Sequence, residues 1–136
     1  MAFSYSRTVY LGDTDAAGVV YFAGVMNICH EAYEESLAEV GITLQQFLTD
    51  STVALPIVHA EVDFFQPMFC GDRLLVNMVC KQLNSHKFAI DYQIFSATAS
   101  TKLLAKGNTI HVCINSQTRT KVDLPESIIQ WLQAFT

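Results

Sequence analysis

The sequence has no surplus of basic residues. Lys and Arg total 8 against 13 Asp and Glu, a formal net charge of −5. Without a basic face to displace counterions, non-specific nucleic-acid binding is not expected, although a few local cations can still hold a small anionic molecule. Paired cysteines are missing too. Cys29, Cys70, Cys80 and Cys113 form no C-x-x-C pair and fit no zinc-knuckle spacing. They read as buried, reduced thiols of a cytoplasmic protein, and no metal or other cofactor is expected. No apolar run approaches the ~20 residues of a membrane-spanning helix. The opening MAFSYSRTVYLGD has no basic segment ahead of an apolar one, so neither a signal peptide nor membrane insertion is expected. There is no G-x-S-x-G, and HEAYE, His30 to Glu34, is not H-E-x-x-H. Serine-hydrolase and zincin chemistry are therefore set aside. Repeats, low-complexity tracts and flexible linkers are absent as well, and a length of 136 residues suits one domain over 1–136.

What is present is apolar material, 51% of the residues, in two distinct periods. SYSRTVYL alternates and reads as a short strand, and GDTDAAGVV carries turn chemistry. Phe22, Met26, Cys29, Tyr33, Leu37 and Val40 then recur at helical spacing. A helix over 22–40 is predicted, ~28 Å long at 1.5 Å per residue, with Gly41 as its C′ residue. TLQQFLTD reads as a further short helix. VALPIVHAEVDFFQP is one long extended stretch, followed by strands at DRLLVNMVCKQLN, HKFAIDYQIFSAT and KLLAKGNTIHVCIN, paired as an antiparallel meander. LPESIIQWLQAF closes the chain as a helix. One apolar-faced helix covers one face of such a sheet, in an α+β fold. The other face and the edge then call for a second copy.

The entrance to the long helix is unusual. A helix begins with about four unpaired N–H groups, and Ser, Thr, Asp or Asn ordinarily satisfies one of them. The stretch AAGVVYFA, from Ala16 to Ala23, offers none of these. Free amides at a helix start favour a developing negative charge. Gly18 permits positive φ and a close backbone approach. Asp15 stands just before. Either it folds back on the local amides as a cap or Asx-turn, or it faces the space where a carbonyl carbon would sit, as nucleophile or general base. Asp13 reads as a structural carboxylate, since no further ligands follow DTD.

LGDTDAAGVVYFAGVMNICHEAYEE resembles the signature of hot-dog-fold thioesterases of the 4-hydroxybenzoyl-CoA thioesterase family, in which D-x-D-x-x-G-x-V-x-[YF] leads into the central helix. The resemblance runs from about Tyr5 to Ile114. It implies a hot-dog fold, a long helix wrapped by an antiparallel sheet. It implies hydrolysis of a small-molecule aryl-CoA thioester, and a homo-oligomer whose active site spans a dimer interface, with dimers paired into a dimer of dimers. Asp15 takes the place of the catalytic carboxylate, the backbone N–H near Phe22 that of the oxyanion donor, and Gly18 that of the signature glycine. Where the family's 4-hydroxybenzoyl-CoA enzyme meets the CoA phosphates with arginines, this chain reads QLNSHKF, which leaves Lys87, beside His86, as the cation.

Other residues have weaker claims. Phe64, Phe65, Phe69 and Tyr21 read first as core, but an aryl group needs an apolar slot, and Tyr21 is the aromatic assigned to it. His59, inside an alternating strand, is assigned to the pocket. His111 is expected to be hydrogen-bonded within the sheet. His30 with Glu34 reads as a solvated or interface face, and Arg119 with Lys121 as a solvated loop. Rival readings are a thioesterase of other acyl specificity and a non-catalytic acyl-CoA-binding module. A hot-dog dehydratase is weaker, because the signature holds no His with a partner acid.

Overall fold

The computed structural model describes residues 1–50, 52–99 and 101–136. In chain order its elements are β1 (Phe3–Thr8), α1 (Val25–Glu39), α2 (Leu44–Asp50), β2 (Val53–Ala54), β3 (Ile57–Phe64), β4 (Arg73–Asn84), β5 (Lys87–Ser96), β6 (Leu103–Val112), β7 (Ile114–Asn115) and α3 (Glu126–Ala134).

The three longest alternating runs pair as β4, β5 and β6. Leu74, Val76, Met78 and Cys80 of β4, with Phe88, Ile90, Tyr92 and Ile94 of β5, are buried. Side chains two apart share a face, so these form one apolar surface. β1 adds to β4 and β3 to β6, giving the antiparallel order β1-β4-β5-β6-β3. Two expectations change here. The single extended stretch before β4 is split into β2, paired with β7, and β3; Pro56 lies between them and has no N–H to offer a ladder. The long strands are not one meander either. β3 lies at the far edge against β6, and the connection 65–72 carries the chain back to β4.

α1 covers the apolar surface with Val25, Ile28, Cys29, Ala32, Tyr33, Ser36 and Leu37, all buried and spaced along one helical stripe. At Gly107 of β6 an added Cβ would stand 3.4 Å from Cys29 Sγ, an ordinary van der Waals contact, so β6 and the helix meet closely at this point. The helix begins three residues later than expected, because Phe22–Gly24 forms a 3-10 turn. It ends in a Schellman turn, with Gly41 N–H donating to Ala38 O and Ile42 N–H to Leu37 O, each at 3.0 Å. This long helix wrapped by an antiparallel sheet is the hot-dog arrangement.

α3 closes the core with Ile128, Trp131 and Leu132. The buried Trp131 indole N–H donates to Ser36 Oγ at 2.9 Å, tying α3 to α1. Cys29, Cys80 and Cys113 are buried free thiols, and burial pushes the first two up to about 12. Cys70 departs from expectation: it is exposed, in the tight turn before β4. β3 has an unpaired edge and exposed Ile57, Val58 and Phe64. Among the described residues no helix is long and apolar enough to cross a membrane.

Ser36→Ala strands the indole N–H in the core. It is expected to lower stability by about 1–3 kcal/mol, read from urea unfolding by the fluorescence of Trp131, the one Trp of the chain. An unchanged midpoint would contradict the assigned bond.

Candidate active site

The loop between β1 and α1 is held from two sides. On one side Arg7 forks. Its Nη1 donates to Asp13 Oδ2 at 2.7 Å, and its Nε and Nη2 donate to the two oxygens of Glu31 on α1 at 2.9 and 3.0 Å. Tyr5 Oη donates to Glu31 at 2.8 Å. Asp13 also accepts the Tyr10 amide at 2.8 Å. Part-burial works against the Asp13 charge, but the Arg7 guanidinium and the Tyr10 amide outweigh it and hold the carboxyl below its ordinary range. Asp13 is thus the structural carboxylate expected from the sequence. On the other side the loop is stitched to the connection 65–72. Val9 N–H donates to Asp72 O, Gly71 N–H to Val9 O and Val20 N–H to Met68 O, each at 2.8 Å, and Cys70 N–H donates to Gly18 O at 3.2 Å.

Between these anchors Thr14 and Val20 bridge, and residues 15–18 form a tight turn closed by Gly18 N–H to Asp15 O at 3.0 Å. Gly18 has φ +81°, which explains the glycine, while the space around its missing Cβ is open. Asp15 is exposed. Its Oδ1 accepts the Ala17 amide at 2.8 Å as an Asx-turn, and Oδ2 has no partner among the described residues. The Asx-turn therefore exists, but the carboxylate does not cap the helix.

The helix entrance keeps two open donors, fewer than the four of an ordinary start. Tyr21 N–H donates to Asp13 O at 3.1 Å, Gly24 N–H to Tyr21 O at 2.8 Å, and Val25 N–H to Phe22 O. The amides of Phe22 and Ala23 have no acceptor among the described residues. They start a 3-10 turn that has no side-chain cap and runs directly into α1, so the helix dipole reinforces them.

Beside them lies a cleft of ≈ 270 Å³, lined by Phe22, Val25, Phe64, Phe65, Pro67 and Met68 among others. Phe64 and Phe65 are 51% and 50% exposed, so the expectation that they belong to the core fails. Phe69 and Tyr21 are likewise half exposed, and the Tyr21 ring lies 4.8 Å from that of Phe22. Sequence reasoning missed this cleft. The available signal was FFQP, where two adjacent aromatics cannot both point into a core from a strand that alternates.

Asp15, Gly18, Tyr21 and Phe22 are therefore gathered on one loop. His59 and Lys87 are not. His59 is exposed on β3, 3.9 Å from Glu61 and ~17 Å along the strand from Phe64 at the usual rise. Lys87 opens β5, a strand of 10 residues whose ends stand ~30 Å apart, and the site lies toward the other end. Within one chain neither reaches the loop. His30 lies 3.6 Å from Glu34 on a half-exposed face. His111 is buried, stacked on Phe88 at 4.6 Å, with Nε2 2.9 Å from Thr109 Oγ1. Burial pushes its pKa down to about 4. Arg119 and Lys121 are exposed loop residues. Among the described residues no three His, Cys, Asp or Glu side chains stand together as metal ligands do.

Comparison with known proteins bears on the family and the fold. The family described as the thioesterase-like superfamily matches residues 9–132. The 1,4-dihydroxy-2-naphthoyl-CoA hydrolase of Crocosphaera subtropica is 53% identical over 96% of this chain and 96% of its own length. That of Nostoc punctiforme is 52% identical over 98% and 88%. The crystal structure of a 1,4-dihydroxy-2-naphthoyl-CoA thioesterase from Synechocystis superposes with a TM-score of 0.93 at 46% identity, covering 98% of this chain and 96% of that one.

The Arg7–Asp13 pair yields a pH signature. The folded pKa of Asp13 is depressed, so its contribution is present above the ordinary carboxylate range and is lost as pH falls through the folded value. Asp13→Asn is expected to cost about 1–3 kcal/mol at neutral pH, with the gap closing as pH drops below that range. Urea midpoints over a pH series read it, and a gap that stays constant would contradict the assignment.

Proposed function

We infer that this chain, which belongs to the thioesterase-like superfamily, hydrolyses the thioester of 1,4-dihydroxy-2-naphthoyl-CoA to the free acid and CoA. The reaction class rests on one observation above others: amides at Phe22 and Ala23 with no acceptor among the described residues, on the same loop as an exposed carboxylate and beside an apolar cleft. The choice of acyl group rests on the relatives, which carry that name at about half identity over nearly the whole chain.

In this reading the aryl group lies in the cleft with Phe22, Phe64 and Phe65, and Tyr21 edges it. The thioester oxygen points at the Phe22 and Ala23 amides. A thioester carbonyl gains little resonance from sulfur, so modest polarisation suffices. Asp15 acts in one of two ways. As nucleophile it adds to the carbonyl carbon, the tetrahedral oxyanion is held by the amides, CoA leaves as thiolate, and water hydrolyses the resulting anhydride. As general base it takes a proton from the water that attacks. Its Asx-turn fixes one oxygen and leaves the other for this work. Gly18 makes the turn that aims it.

The unpaired β3 edge and the exposed Ile57, Val58 and Phe64 support a homo-oligomer, read as a dimer of dimers. His59 and Lys87 would then meet substrate from a second copy. Free thiols suit a reducing compartment, and the reading sets the enzyme in the cytoplasm.

The test is thiol release from 1,4-dihydroxy-2-naphthoyl-CoA beside benzoyl-CoA and fatty acyl-CoAs. Selective release by wild type that Asp15→Asn abolishes is expected. Release that survives in Asp15→Asn would contradict the role of Asp15, and no release from any ester would contradict the reaction. The oxyanion donor has its own test. Tyr21 sits at φ −58°, ψ 134°, a conformation suited to the residue before proline. Phe22→Pro therefore deletes the N–H with the turn retained. A loss of about 10²–10³ in kcat is expected, against a smaller loss in Phe22→Ala, which keeps the amide and removes the ring. Equal losses would contradict it. Sedimentation of wild type is expected to give an oligomer, and a fully active monomer would contradict the shared site.

A further inference from the structure

We propose that a second cavity, next to the aryl cleft, grips a phosphate group of the substrate's CoA nucleotide through Arg73 and Lys102. This rests on the thioester reading and adds the anchor for the other end of the substrate. The cavity measures ≈ 540 Å³ against ≈ 270 Å³ for the cleft. Gln66 and Pro67 line both, so a ligand whose acyl group fills the cleft can continue over this pair into the cavity. The far walls come from Arg73, Ser96, Thr98 and Lys102, at the ends of β4, β5 and β6.

The chemistry of these walls suits an anion. Arg73 donates through Nη1 to Thr8 Oγ1 at 2.8 Å, which orients the guanidinium and leaves the rest of its fork unbonded among the described residues. The Lys102 ammonium has no partner there. The hydroxyls of Ser96 and Thr98 are hydrogen-bonded to each other at 3.0 Å, which leaves one O–H of the pair to donate. One carboxylate, Asp72, lines the same cavity, and its Oδ2 already accepts the Phe69 amide at 2.8 Å. Two cations against one carboxylate leave this cavity positive in a chain whose net charge is −5. An Arg fork beside a lysine is the donor set that holds phosphate oxygens. Lys87, the cation singled out from the sequence, stands toward the other end of β5 and meets the same nucleotide only from a second copy.

The test separates this site from catalysis. Adenosine 3′,5′-bisphosphate, which carries the phosphates without the acyl arm, is titrated by calorimetry into wild type, Lys102→Ala and Lys102→Arg. Binding by wild type that weakens roughly tenfold in Lys102→Ala, the scale of one charge-assisted hydrogen bond, and returns in Lys102→Arg is expected. In kinetics the same variant is expected to raise KM for the CoA ester by a similar factor without raising it for the N-acetylcysteamine ester, which has no phosphate. No binding to wild type, or equal binding by Lys102→Ala, overturns the proposal even if the thioesters are hydrolysed. Hydrolysis of neither ester overturns the thioester reading, while the calorimetry still decides whether the cavity holds phosphate.

Discussion

The burial of α1 against the sheet is the constraint on which the site depends. Val25, Ile28, Cys29, Ala32 and Leu37 are buried against the strands. Once that packing is made, the start of the helix has no freedom of position. The preceding loop must arrive from β1 and deliver Tyr21 and Phe22 to that point. Arg7 enforces the arrival by joining β1, Asp13 and Glu31 in one ion-paired cluster. The connection 65–72 enforces it from the other side with main-chain bonds. A site built this way holds its donors in place before any ligand arrives, which is what electrostatic stabilisation of an oxyanion requires.

Much of the fold was legible because it is written in local periods. The helical stripe from Met26 to Leu37 and the alternation in β4, β5 and β6 follow from side-chain geometry alone. The same holds for the uncapped entrance, since a missing Ser, Thr, Asp or Asn is visible in the sequence. The number of open amides was not legible. Gly24 and Val25 find carbonyls in a 3-10 turn, and only tertiary packing decides between that turn and a regular helix start.

What stayed hidden depends on contacts between distant residues. Arg7 and Glu31 are separated by 24 positions and carry no shared motif. β3 lies at the β6 edge with most of its side chains exposed, and Phe64 and Phe65 at its end are half exposed instead of entering the core. The same topology separates Lys87 from the loop of Asp15, although both lie in segments that read as functional. Arg73 and Lys102 come together only because the ends of β4, β5 and β6 converge.

In the proposed reading the site divides its work by chemistry: apolar surface for the acyl group, backbone donors for the developing charge, and a carboxylate held by its own turn. The most direct measurement is a crystal structure of wild type with a non-hydrolysable ketone analogue, in which methylene replaces the thioester sulfur of 1,4-dihydroxy-2-naphthoyl-CoA. The account predicts the ketone oxygen within about 3 Å of the Phe22 amide, with the Asp15 carboxylate facing the carbonyl carbon. A carbonyl bound elsewhere, with the Phe22 and Ala23 amides still open, would contradict it.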